Sequence, residues 1–91
     1  AKHGVVGLTK AAALDYAPDG VRVNAVGPGF VDTPMLSNRT PEQRAALEAA
    51  HPVGRIATAE EIAAVVAFLA SPESSFVTGA YYTVDGGYAA R

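Results

Sequence analysis

The sequence predicts an α/β fold built on a parallel strand pair, and three observations predict it. Val21–Val26 is short and rich in β-branched residues, Tyr81–Val84 reads the same way, and between them lie two stretches with helical spacing and helix-start signals. Strand, helical connection, strand is the order of parallel neighbours joined by a crossover, which within one sheet is almost always right-handed. A parallel sheet needs several strands and both faces covered, and only two strands can be found. At least one edge is therefore expected to be bare, and residues 1–91 are expected to form part of a single α/β domain that is incomplete alone.

The elements follow in order. Gly4–Ala17 carries Val5, Leu8, Ala12 and Tyr16 at helical spacing and then meets Pro18, Asp19 and Gly20, so a helix ended by Pro-Asp-Gly is expected. The strand Val21–Val26 closes on Gly27-Pro28-Gly29, and a loop runs from Phe30 to Arg39. Thr40-Pro41-Glu42-Gln43 has the form of a capping box, with Thr40 as N-cap and Gln43 reaching back, and predicts a helix to about His51. Pro52 and Gly54 break it. Thr58-Ala59-Glu60-Glu61 repeats the start signal ahead of the stripe Ile62, Val65, Val66, Leu69, whose helix stops at Ser71-Pro72. A turn at Thr78-Gly79 leads into the strand Tyr81–Val84, ended by Asp85-Gly86-Gly87.

Composition narrows the function. With 49% hydrophobic and 18% charged residues the chain has the balance of a globular protein rather than a disordered one. At 91 residues without a cysteine, its core is expected to be marginal. Seven basic against nine acidic residues, with no basic run, argue against nucleic-acid binding. The longest strongly apolar stretch, Ile62–Ala70, is too short to cross a bilayer, so no membrane partner is expected. The lack of cysteine excludes a thiolate metal site, a cysteine nucleophile and a disulfide scaffold, and His3 and His51 are too few and too scattered to argue for a metal. His51 reads as a helix-end residue, favoured as a cation near the C-terminal dipole when protonated, without a catalytic role.

Three stretches together carry a family resemblance. Lys2-His3-Gly4-Val5-Val6-Gly7-Leu8-Thr9-Lys10 resembles the helix after the active-site tyrosine of short-chain dehydrogenases/reductases; Asn24-Ala25-Val26-Gly27-Pro28-Gly29 resembles their Asn-Ala-Val-x-Pro-Gly motif; and Thr78-Gly79 with Val84-Asp85-Gly86-Gly87 resembles their C-terminal strand. The matches occur in family order and spacing and cover nearly the whole chain. The resemblance implies the C-terminal part of a Rossmann-like, doubly wound parallel sheet, beginning just after the active-site tyrosine. It also implies a cytoplasmic, homo-oligomeric oxidoreductase that passes hydride between NAD or NADP and a small alcohol or ketone.

Residue by residue, the resemblance puts Lys2 in the lysine position of the Tyr-x-x-x-Lys pair, where its charge lowers the phenol's pKa and its ammonium bonds the nicotinamide ribose. It makes Pro28, Gly29, Val31 and Thr33 the cofactor loop, with the backbone of Val31 and the hydroxyl of Thr33 on the nicotinamide carboxamide. Met35 and Leu36 fall in the substrate loop. Taken without the family, Lys2 is a solvated lysine near a chain end, Gly27-Pro28-Gly29 an ordinary turn, and Met35 and Leu36 a small satellite core. The small-residue face Ala11–Ala13 with Gly4 and Gly7, and Tyr81, Tyr82 and Tyr88, are candidates for a subunit interface or for packing within the chain. The family's pyrophosphate turn, its NAD-or-NADP selecting residue and its carbonyl-polarising serine have no counterpart here, so cofactor choice cannot be read from the sequence. A reading of another class remains beside this one: a truncated, non-catalytic piece that self-associates through its bare strand edge and alanine face.

Overall fold

The computed structural model describes residues 2–90, which order as α1 (Lys2–Tyr16), β1 (Ala25–Pro28), α2 (Pro41–Ala50), α3 (Ala59–Ala70) and β2 (Tyr81–Val84). Packing divides them into two units, Ala1–Gly27 with Val65–Tyr82 and Pro28–Ala64 with Thr83–Arg91. The two strands pair directly as a two-stranded sheet. Ala25 N–H donates to the Ala80 carbonyl at 2.9 Å and Gly29 N–H to the Val84 carbonyl at 3.1 Å, so both chains advance in the same direction and the pair is parallel. Pro28 is of opposite parity to these donors; its missing N–H faces the edge of β1 away from β2, where a proline costs no ladder bond.

In the first unit, α1 ends as the sequence predicts, running into a 3-10 turn at Ala17–Asp19 that contains Pro18. Its inner face is made by Thr9 and Ala13, and the Thr9 hydroxyl is satisfied by the Val5 carbonyl one turn back at 2.7 Å. The strand expected at Val21–Val26 instead begins at Ala25 and runs to Pro28. Side chains displace the ladder over its first residues. Val23 N–H bonds the Thr78 hydroxyl at 3.1 Å, and the Asn24 amide spans two backbone groups, donating to Val77 C=O at 2.9 Å and accepting from Ala80 N–H at 3.0 Å. Arg22 donates to the carbonyls of Leu69, Ser71 and Val77 and to the Ser74 hydroxyl, and so closes the C-terminus of α3, where orphan carbonyls favour a cation.

In the second unit both helix starts are the predicted ones. Thr40 Oγ1 accepts from Gln43 N–H while Gln43 Oε1 accepts from Thr40 N–H, the full capping box. Thr58 and Glu61 make the same reciprocal pair ahead of α3. The segment Phe30–Arg39, expected as plain loop, contains a 3-10 turn at Pro34–Leu36 and an isolated parallel bridge between Val31 and Ala57. After β2, Gly86 and Gly87 take φ of 60° and 92°, a region open to glycine, and the Asp85 carboxylate accepts from the amides of Gly87 and Ala89.

The buried hydrophobic residues are Ala13, Leu36 and Ile56, while Leu8, Leu14 and Phe76 stay largely exposed, as expected of a chain with a marginal core. The α3 stripe forms but is not enclosed: Ile62, Val65 and Leu69 are half-buried and Val66 is exposed.

Candidate functional site

The loop that leaves β1 is held by one set of backbone groups and leaves another unused. Ala57 N–H donates to Phe30 C=O at 3.0 Å and Asp32 N–H donates to Ala57 C=O at 2.8 Å, the bonding of a parallel bridge centred on Val31. Backbone groups alternate sides along an extended segment, so the N–H and C=O of Val31 point away from Ala57. Among the described residues neither has a hydrogen-bond partner. Two residues on, half-buried Thr33 has extended backbone (φ −128°, ψ 167°) and starts the 3-10 turn without using its side chain as a cap, and its hydroxyl likewise has no partner among the described residues. The N–H and C=O of one residue, and a hydroxyl two residues on, thus stay open on a loop pinned from its other side.

The pinning extends to the flanks. The Gly29 Cα lies so close to its neighbours that a Cβ there would stand 2.8 Å from His51 Nε2 and 3.0 Å from Asp85 Cα. Phe30 N–H donates to His51 Nε2 at 3.3 Å, and His51 Nδ1 lies 2.7 Å from the Leu47 carbonyl. A nitrogen that accepts from an amide and one that faces a carbonyl fit the Nδ1–H tautomer, with Nε2 as the acceptor, at the end of α2 where the sequence places this residue. The ring is 3% exposed and packs edge-on against Phe30 and tilted against Tyr88. Asp32 pairs bidentately with Arg44 of α2, at 3.0 and 3.3 Å. Nothing in the local sequence signals the His51, Arg44 or Ala57 ties, which join residues 12 to 27 positions apart.

A cavity of about 220 Å³ in the same unit is lined by Gly29, Phe30, His51, Arg55, Glu61 and Asp85, among others. On its wall Arg55 and Glu61 form a bidentate pair at 2.7 and 2.8 Å, while the Asp85 carboxylate is held by backbone amides alone. The Arg55 guanidinium, with the Thr58 amide, holds the Glu61 carboxyl down to about 2. Among the described residues no group of three or more His, Cys, Asp or Glu side chains could hold a metal. No helix there is long and apolar enough to cross a membrane.

The remaining predicted site residues are placed as follows. Pro28 ends β1 and Gly29 follows it, so both position the loop by backbone shape. Met35 is 87% exposed at the tip of the 3-10 turn, whereas Leu36 is buried and anchors that turn. In the first unit Lys2 opens α1, exposed, with its ammonium 5.6 Å from the centroid of the Tyr81 ring, within cation–π range.

The chain is similar to proteins of known kind. A family model described as enoyl-(acyl carrier protein) reductase matches residues 1–89. Cyclohexanol dehydrogenase of Acinetobacter sp. (strain SE19) is 52% identical over 91 residues, all of this chain and 35% of that enzyme. The 3-oxoacyl-[acyl-carrier-protein] reductase FabG of Vibrio cholerae is 49% identical over 87 residues, 96% of this chain and 36% of the enzyme. Among solved structures, a short-chain dehydrogenase family protein from Francisella tularensis superposes with a TM-score of 0.90 at 39% identity, covering 99% of this chain and 42% of its own. Ligand-free aldohexose dehydrogenase of Thermoplasma acidophilum does so at 0.87 and 44%, covering 99% and 39%. The chain spans about a third of the length of the curated relatives it matches.

Proposed function

Because the chain belongs to the short-chain dehydrogenase/reductase family, over residues 1–89 of its own length, we propose that it supplies the nicotinamide-holding loop and the active-site lysine of an NAD- or NADP-dependent oxidoreductase acting on a small alcohol or ketone. The α/β arrangement expected from the sequence is that of the Rossmann-fold dehydrogenases it superposes on. The observation that carries the functional reading is the unspent set on the loop: Val31 N–H, Val31 C=O and the Thr33 hydroxyl. A nicotinamide carboxamide has one carbonyl acceptor and an NH₂ donor, and a peptide plus a hydroxyl answers both. When bound, the cofactor gives hydride to the substrate carbon or takes it, and a fixed carboxamide selects the ring face.

The chain's own residues then have distinct tasks. Pro28 and Gly29 bring the backbone round at the end of a parallel strand, the end at which ligands bind in open α/β sheets. Val31 and Thr33 orient the ring. Lys2 donates hydrogen bonds to the ribose hydroxyls and keeps a positive charge near the family's tyrosine, favouring the phenolate form in which it accepts the substrate's proton. Exposed Met35 forms part of the substrate wall, and buried Leu36 anchors the turn that carries it. The relatives' names, cyclohexanol dehydrogenase and aldohexose dehydrogenase, support an alcohol as the substrate class. We place the working protein in the cytoplasm as a homo-oligomer.

The test is a graft: this chain replaces the matching segment of the Acinetobacter cyclohexanol dehydrogenase, and nicotinamide reduction by cyclohexanol is followed. Retained turnover that is lost on Lys2→Met is the expected result; a folded but inactive graft would contradict the proposal. The chain by itself is expected to show no turnover. A second reading, self-association without catalysis, is favoured by the exposure of Leu8 and Leu14 on α1 and of Phe76. Sedimentation decides it, a compact monomer in dilute solution speaking against it.

A further inference from the structure

His51 is the most enclosed ionisable side chain among the described residues, and the proposed chemistry does not use it. Its place in the fold gives it a use. Both ring nitrogens are committed, Nδ1 to the Leu47 carbonyl of α2 and Nε2 to the Phe30 amide, so the imidazole is a rigid strut from the end of that helix to the residue before Val31. Seven residues back, two turns along α2 and so on the same side, Arg44 grips Asp32, the residue after Val31. One helix therefore ties the loop on both flanks of Val31, whose N–H and C=O have no partner among the described residues. The two ties differ in strength. Arg44 and Asp32 are solvent-exposed, where an ion pair contributes little, while the His51 ring is buried, where an unmade bond would leave a desolvated amide.

Resting on the reading of Val31 and Thr33 as the carboxamide site, we infer that His51 is a positioning residue for nicotinamide. It fixes the Gly29–Phe30 peptide and thereby the direction in which the Val31 N–H and C=O point. The absence of a Cβ at Gly29 is what lets the imidazole come this close. The inference also makes α2 and the cofactor loop one mechanical piece within their unit, so a ligand that shifts α2 shifts the carboxamide hooks with it.

The test uses the ¹⁵N-labelled 91-residue chain and two variants. His51→Phe keeps a ring to pack on Phe30 and Tyr88 but can make neither bond; His51→Gln keeps an acceptor for the Phe30 amide. In the wild type, imidazole ¹⁵N shifts should report the neutral Nδ1–H form. In His51→Phe, amide exchange at Phe30 and Asp32 should accelerate about tenfold with α1 amides unchanged, and nicotinamide mononucleotide should bind about fivefold more weakly. His51→Gln should recover most of both effects. Unchanged exchange at Phe30 and Asp32 in His51→Phe would overturn the inference, as would unfolding of both variants, which would make His51 a core residue and no more. If the wild type shows no response to the mononucleotide at Val31 or Thr33, the cofactor reading fails, and the exchange comparison still decides the positioning claim.

Discussion

Two extended segments of this chain, Arg22–Ala25 in the first unit and Phe30–Thr33 in the second, are built from similar residues and spend their polar groups in opposite ways. In the first, every polar side chain is consumed: Arg22 closes the end of α3 and the Asn24 amide substitutes for two ladder bonds. In the second, the flanking groups are consumed and the central ones are not, leaving the Val31 peptide and the Thr33 hydroxyl unpaired among the described residues. The open edge leaves the Val31 groups to solvent, and the Thr33 hydroxyl is solvent-accessible too, since no buried side-chain oxygen among the described residues lacks a partner. The first segment is thus a strap that holds structure, and the second is the platform on which the proposed cofactor contact rests.

The sharpest way to break the platform is to crowd its hinge. Gly29→Val drives a side chain into His51 and the Asp85 backbone, and we expect it to cost about 2–3 kcal/mol in urea unfolding. A loss under about 0.5 kcal/mol would show that the close approach is not required. Next comes the strap. Arg22→Met keeps the apolar stem and removes the guanidinium's hydrogen bonds, while the carbonyls of Leu69, Ser71 and Val77 keep Ser74 and Asn24 as donors, so the expected loss is about 1 kcal/mol by the same measurement.

Thr33→Val sharpens the contrast from the other side. A hydroxyl with no partner contributes nothing to folding, so stability should change by less than about 0.5 kcal/mol while nicotinamide mononucleotide affinity falls several-fold. A large loss of stability would move Thr33 from platform to strap. The smallest effect concerns acid. The Glu61 carboxyl is lowered from an ordinary 4.5 to about 2, so its pairing with Arg55 helps the folded state fully above the ordinary value and is lost as pH falls through the lowered one. Both groups are exposed, which keeps the contribution small. A side-chain NMR titration of Glu61 checks it, a midpoint near 4.5 being the contrary result.

What the sequence made legible follows the range of the interactions involved. The helix starts at Thr40 and Thr58 were readable because each cap lies within three residues of its partner. The stop at Pro18 and the strand Tyr81–Val84 were readable from local chemistry as well. The first strand was placed too early because Val21 and Val23 have the propensity for a ladder that Thr78 and Asn24, through bonds spanning more than fifty positions, replace with side chains. The site divides likewise. Pro28, Gly29, Val31 and Thr33 were legible as a motif, but the neutral tautomer of His51, the grip of Arg44 on Asp32 and the Val31–Ala57 bridge exist only once the chain has folded.

The most direct measurement is an amide-shift titration of the labelled chain with nicotinamide mononucleotide, reading Val31 and Thr33 of the platform against Val23 and Ala25 of the strap. Saturable shifts at the first pair and none at the second are expected. Equal movement of both pairs, or movement of the strap alone, would contradict it.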